Sequence, residues 1–259
     1  MPRFAANIDW MFRELPFLER FEAAAGAGFE GVEFLFPYDH PAEVIADLLD
    51  RHGLTNVLFN FPAGDWPAGE RGIAALPGRE LEFHDSVELA ISYADALKTS
   101  RLHVLSGIVP TESRRAEYSE VYLQNLRYAA DRVALHGITL LVEAINPIDM
   151  PNYLVQTQTR SFELCMAAGK ENVRMQLDLY HTLMAGDGLA ETLRNYRTAY
   201  SHVQIAGVPG RNEPNVGEID YPYLFNLLDE LGYDGWVGCE YKPLGNTLDG
   251  LGWHRRQPR

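Results

Sequence analysis

Short runs rich in β-branched and aromatic residues recur along this chain, separated by longer segments with the spacing of amphipathic helices. The runs RFAAN (3–7), GVEFLF (31–36), TNVLFN (55–60), RLHVLSG (101–107), TLLVEAI (139–145), VRMQLDLY (173–180), SHVQIAG (201–207) and GWVGCEY (235–241) predict eight strands. Helical periodicity fills the intervals, as in PFLERFEAAAGAG (16–28), EFHDSVELAISYADAL (82–97) and YLQNLRYAADRVALHG (122–137). Glycines close helices just ahead of strands: Gly28 with Gly31, Gly53, Gly137, and Gly232 with Gly235. Eight βα units within 259 residues predict an α/β protein of (β/α)8 TIM-barrel architecture, folded as one domain over residues 1–259. An open doubly wound sheet fits less well, since no GxGxxG follows an early strand. One connection, FPAGDWPAGERGIAALPGRE (61–80), is long, rich in Gly and Pro, and carries Trp66. Its length and its place after a strand predict a lid over the barrel mouth.

Four of the strands are interrupted by a polar residue near the C-terminal end: Glu143 in TLLVEAI, Asp178 in VRMQLDLY, Gln204 in SHVQIAG and Glu240 in GWVGCEY. Barrel active sites are built at that end. Side-chain alternation in VRMQLDLY turns Met175, Leu177 and Leu179 toward the helices and Gln176, Asp178 and Tyr180 into the barrel. A single residue of this kind is ordinarily a hydrogen-bonded buried group. Four on consecutive strands are different, because three converging carboxylates repel one another and resist desolvation. A divalent metal resolves that conflict. The donors are all oxygens, which favours Mg²⁺ or Mn²⁺, with Ca²⁺ also compatible, and does not support a structural Zn²⁺ site. His181 follows three residues after Asp178, Arg211 lies beyond the seventh strand in GVPGRNEP, and Lys242 follows Glu240 by two. These are cationic or proton-donating groups for an anionic substrate. Glu33 and Asn7 are candidates for supporting the site residues from behind, with structural roles ranked higher; Asp220 reads as a helix N-cap with Pro222 in the first turn, and His84 and His103 take no assignment.

Charge narrows the partners. The formal net charge is −14, which repels phosphate backbones and excludes nucleic acid. It also requires a local cation for any anionic substrate. No apolar run reaches the roughly 20 residues of a membrane span. The opening MPRFAANIDW lacks the apolar core of a signal peptide, so a cytoplasmic location is expected. A homo-oligomer is compatible with this composition. Cys165 and Cys239 sit in apolar segments, where reduced buried thiols are expected rather than a disulfide.

The segments RFAAN, GFEGVEFLFPYD, PAGDWPAGERGIAALPGRE, NLRYAAD, LLVEAIN, QLDLYH, HVQIAG, GEIDYPYLF and GWVGCEYKP, in this order along nearly the whole chain, resemble the hydroxypyruvate isomerase family of xylose-isomerase-like TIM barrels. The family includes isomerases of 2-oxo-tetronate, one carbon longer. HVQIAGVPGRNEP and MPRFAAN look like that branch, whereas FPAGDWPAGERG looks like the hydroxypyruvate branch. The resemblance implies metal ligands at Glu143, Asp178, Gln204 and Glu240, and an acid/base pair at Glu143 and Glu240. It also implies substrate-oxygen binding at His181 and Arg211, with Lys242 nearby. The implied reaction converts hydroxypyruvate to tartronate semialdehyde by proton transfer through an enediolate, its charge offset by Mg²⁺ or Mn²⁺. A 2-oxo-tetronate isomerase is the alternative, and a sugar epimerase of the same barrel a more distant one.

Overall fold

The computed structural model describes residues 2–254. Among them, eight parallel strands close into a barrel in chain order: β1 (Arg3–Asn7), β2 (Gly31–Glu33), β3 (Thr55–Asn60), β4 (Arg101–His103), β5 (Thr139–Glu143), β6 (Val173–Asp178), β7 (Tyr200–Ile205) and β8 (Trp236–Cys239). The helices α1 (Arg20–Gly26), α2 (Ala42–His52), α3 (Glu80–Leu97), α4 (Arg115–Ala134), α5 (Gln158–Ala168), α6 (Leu179–Met184), α7 (Leu189–Asn195) and α8 (Tyr221–Glu230) lie in the crossovers. This is the (β/α)8 TIM barrel that the alternating pattern predicts. Strands β1 and β3 span the predicted residues, while most others stop short because the chain leaves the ladder to line the mouth. Tyr180 differs in kind. Asp178 ends β6 and at once caps α6, accepting from the backbone N–H of Tyr180 at 2.7 Å and of His181 at 3.3 Å, so Tyr180 is helical rather than in a strand.

The outward strand faces pack on the helices. Inside the barrel, apolar and polar halves separate. Ala5, Val57, Leu58, Leu141 and Trp236 form one buried cluster, with the Arg3 guanidinium 4.6 Å from the Trp236 ring. Gly31 makes this possible, because a Cβ there would come within 2.8 Å of the Trp236 ring. Nearer the strands' C-terminal ends the buried interior side chains are polar, among them Asn7, Glu33, His103, Glu143, Gln176, His202 and Gln204. A barrel interior filled at one end and polar at the other leaves its cavity at the C-terminal face.

Local chemistry fixes the connections. Gly53 closes α2 at φ +65°, a conformation that favours glycine. Asp220 caps α8, accepting from Tyr223 N–H at 3.1 Å, with proline in the first turn. Thr247 ties the far end of the chain to the start: its hydroxyl accepts from Phe12 N–H at 2.7 Å, and its own N–H donates to Glu14 at 3.1 Å. Both cysteines are free and buried. Among the described residues no helix is long and apolar enough to cross a membrane.

Candidate active site

Register sets the site's layers. Glu143 on β5 pairs with Gln176 on β6, and Gln176 with His202 on β7. Asp178 pairs with Gln204, and Gln204 with Gly238 on β8. Glu240 follows β8 directly. Of these, Glu143, Gln176, Gln204 and Glu240 line a cavity of about 440 Å³, together with His181, Arg211 and Lys242. All seven residues expected at the site are thus at or beside one cavity, Asp178 meeting it through its contacts with His181 and Arg211. Lys242 stands at the exposed rim and forms no ion pair with a carboxylate among the described residues; its backbone N–H donates to Arg211 O at 2.7 Å.

The carboxylates are buried and electrostatically strained. Burial pushes the Glu143 carboxyl well above its ordinary range, and the neighbouring Glu240 and Asp178 push it further. Burial likewise raises Glu240, to about 8, although Arg211 opposes the rise. Asp178 is raised by burial, against the pull of Arg211 and of the two backbone N–H groups it caps. Arg211 is the cation among them, with its Nη2 3.1 Å from Glu240 Oε2 and 3.7 Å from Asp178 Oδ2. Burial alone would lower its pKa, but the carboxylates of Glu240, Asp178 and Glu143 raise it. Its guanidinium carbon lies 4.5 Å from the Trp10 ring and 4.9 Å from the Tyr180 ring. That contact holds the charge in place without a further anion.

The donor set can be tested for a metal. Glu143, Asp178 and His181 bring ligand atoms within 4.8 Å of one another, all buried. Glu143 Oε1 and Asp178 Oδ2 are buried without a hydrogen-bond partner, a costly state unless something positive is to be bound there. Gln204 lies beside them with its amide oriented: Nε2 donates to Glu33 Oε1 at 2.7 Å, and Oε1 accepts from Gln176 Nε2 at 2.6 Å. A carboxylate only accepts, so Glu33 forces the amide nitrogen to its own side and the oxygen to the other. That oxygen keeps a second lone pair. Two orphaned carboxylate oxygens and an oriented amide oxygen suit a hard divalent cation.

Glu33 reaches Gln204 across β1 and β8. Its carboxylate also accepts from Asn7 Nδ2 at 3.2 Å and meets His202 Nε2 at 2.8 Å. A Cβ at Gly238 would collide with the Glu33 carboxylate, so the glycine is the passage through which it crosses. Glu33 and Asn7, ranked as structural from the sequence, thus also act on the site: Glu33 orients the Gln204 amide, and Asn7 holds Glu33 and lines the cavity.

Some contributors had no assignment from sequence. His103 ends β4 with Nδ1 3.5 Å from Glu143 Oε2, and burial lowers its pKa to about 3, leaving it neutral. Its position at a strand's C-terminal end is the same signal that marked the carboxylates. Trp10, Asn146 and Asp149 come from loops and carry no such signal. His84 lies outside the site, its ring stacked on Tyr128 at 3.6 Å. The 61–79 loop does reach the cavity, where Trp66 forms part of the wall beside Phe36. Its body is anchored rather than free: Gly72 N–H donates to Ala63 O, Ala75 N–H donates to Ser106 O, and Glu70 pairs with Arg79.

Comparison with known proteins agrees with this architecture. A family described as xylose isomerase-like TIM barrel matches residues 21–257. The 2-oxo-tetronate isomerase of Cupriavidus necator is 49% identical over 98% of this chain and 97% of its own length. The hydroxypyruvate isomerase of Escherichia coli is 44% identical over 98% of both. A crystal structure of an AP endonuclease, family 2, from Brucella melitensis superposes with a TM-score of 0.97 at 53% identity, covering 99% of this chain and all of that one.

Proposed function

Since the chain belongs to the xylose isomerase-like TIM-barrel family and is an isomerase, we propose that it moves a carbonyl between adjacent carbons of a small hydroxy-oxo acid, with 2-oxo-tetronate as substrate. The observation that carries this reading is the pairing of two buried carboxylates, Glu143 and Glu240, with one partly buried guanidinium, that of Arg211, in a single cavity. Similarity to relatives named for 2-oxo-tetronate favours the four-carbon acid. Hydroxypyruvate, the three-carbon acid implied first by the sequence, presents the same reacting carbons and is the second reading.

The chemistry is a proton exchange. A base removes the proton on C3, an acid returns a proton to C2, and the hydroxyl proton passes from O3 to O2, so the carbonyl moves from C2 to C3 with no net change in composition. Glu143 and Glu240 approach the cavity from β5 and β8 and serve as the two proton carriers. Burial raises both carboxyls in the metal-free protein, and a bound divalent cation would oppose that rise and favour their ionised forms. Arg211 faces the charge that develops on the enediolate or the substrate carboxylate, and a cation partly shielded from water stabilises it more than a fully exposed one would. Lys242 at the rim adds a second positive charge for an acid approaching a protein of net charge −14. A divalent cation, Mg²⁺ or Mn²⁺, held by Glu143, Asp178, Gln204 and Glu240 would supply further positive charge at the substrate oxygens. Trp66, Phe34 and Leu58 keep one wall dry.

A nucleic-acid substrate, which the name of the Brucella melitensis structure suggests, fits poorly with that net charge. The test follows the reaction of 2-oxo-tetronate and hydroxypyruvate by NMR in D₂O with Mn²⁺ or Mg²⁺ supplied. Carbonyl relocation with deuterium at the new carbinol carbon is expected, together with loss of turnover by about 10³-fold or more in Glu240→Gln. Wild-type rates in that variant, or no relocation with either acid, would overturn the reading.

A further inference from the structure

His181 presents two ring nitrogens, and which of them carries the proton decides what the residue can do. A bare nitrogen facing Glu143 and Asp178 would be a metal ligand, whereas an N–H there would be a donor to a substrate oxygen. The ring is fully buried, so its partners decide.

Asn146, three residues beyond Glu143, uses its whole amide. Oδ1 accepts from the backbone N–H of Ile148 at 3.0 Å and of Asp149 at 2.9 Å. Two backbone donors leave no freedom to exchange the amide's oxygen and nitrogen. Nδ2 therefore faces the other way, donating to Asp149 Oδ2 at 3.1 Å and lying 2.7 Å from His181 Nδ1. The Asn146 backbone N–H also points at Nδ1, at 3.4 Å. A nitrogen that faces two donors must accept. Nδ1 then carries no proton, and the neutral ring carries it on Nε2.

Nε2 is the atom turned toward the carboxylates, 4.0 Å from Asp178 Oδ2. We propose that Asn146 is a positioning residue that locks His181 in the Nε2–H form, making it a hydrogen-bond donor to a substrate oxygen and withholding it from metal ligation. Resting on the isomerase reading, this divides the buried cluster of Glu143, Asp178 and His181 into oxygen ligands and a donor. It also explains why Asn146, wholly buried, sits in a turn that ends in Asp149: the turn itself orients the amide.

The direct test is the ring nitrogen spectrum of ¹⁵N-histidine-labelled, metal-free protein, with His181 identified by its loss in His181→Gln. The expected pattern is a protonated Nε2 and a bare Nδ1. A proton on Nδ1 in the wild-type spectrum overturns the proposal, whatever any variant does. Asn146→Asp replaces the donor with an acceptor and should invert the two signals. In a folded Asn146→Asp protein, kcat/KM should fall about 10²-fold, as for loss of one oriented donor. Affinity for Zn²⁺, measured calorimetrically, should rise at least tenfold, because Nε2 becomes a bare ligand nitrogen. An unchanged tautomer in the folded variant also overturns it. If neither acid turns over yet the wild-type ring carries its proton on Nε2, the substrate reading falls and the Asn146 assignment stands.

Discussion

Asp178 divides its two oxygens between different tasks, and substitution can separate them. Oδ1 caps α6, while Oδ2 is buried without a hydrogen-bond partner. Asp178→Asn keeps an oxygen for the cap and replaces the ligand oxygen with an NH₂; Asp178→Ala removes both. In EDTA, Asn should melt within a degree or two of wild type or above it, because burial already disfavours the lost charge. Ala should melt lower than Asn by the value of one N-cap, about 1 kcal/mol, or roughly 2–4 °C for a chain of this size. Metal adds the second axis. Mn²⁺ at about 100 times its Kd stabilises a protein that binds it only when folded by about 2.7 kcal/mol, near 5–10 °C. Wild type should show that rise and neither variant should. The assay is a thermal melt of three proteins, each with EDTA and with Mn²⁺. A full metal-induced rise in Asp178→Asn would refute the ligand role of Oδ2, and equal melting of Asn and Ala in EDTA would refute the cap.

Two further outcomes rest on the same geometry. Burial raises the Glu240 carboxyl to about 8 in the folded protein against about 4.5 in the unfolded chain, so the fold favours its protonated form. That contribution is complete below pH 4.5 and is lost as pH rises through 8, at up to about 1.4 kcal/mol per pH unit for one proton. Glu240→Gln should therefore gain on wild type in metal-free melts from pH 5 to pH 9, and a constant difference would refute the shift. Tyr221 is buried behind β7, donating its hydroxyl to Ala206 O at 2.7 Å and accepting from Ala206 N–H at 3.1 Å. Tyr221→Phe leaves both backbone groups unsatisfied and should cost about 1–3 kcal/mol in urea unfolding; a loss under 0.5 kcal/mol would show that water replaces the hydroxyl.

Strands and the principal carboxylates were readable because their signals are local. A strand declares itself within five or six residues, and a Glu or Asp at its C-terminal end is conspicuous in apolar company. Tyr180 was misplaced because side-chain alternation has no term for Asp178 turning from strand residue to helix cap. Asn146 could not be read at all, since its partner His181 is 35 residues away and the amide's orientation depends on a turn. The link between Glu33 and Gln204 spans 171 residues and needs a glycine on a third strand to exist. Residues that react sit in recognisable frames; residues that orient them are set by distant neighbours.

The seam between β1 and β8 also has a consequence in time. Strand β1 pairs with β8 from Arg3↔Trp236 to Ala6↔Cys239, so one edge of the first strand has no partner until the last is made. At about 5–20 residues per second of synthesis, the edge waits roughly ten to fifty seconds. Thr247, which fastens Phe12 and Glu14, arrives later still. Glu240 emerges in the same final stretch, so a growing chain holds no complete cavity at any earlier moment. Ring closure and the appearance of the site are a single late event in the life of each molecule.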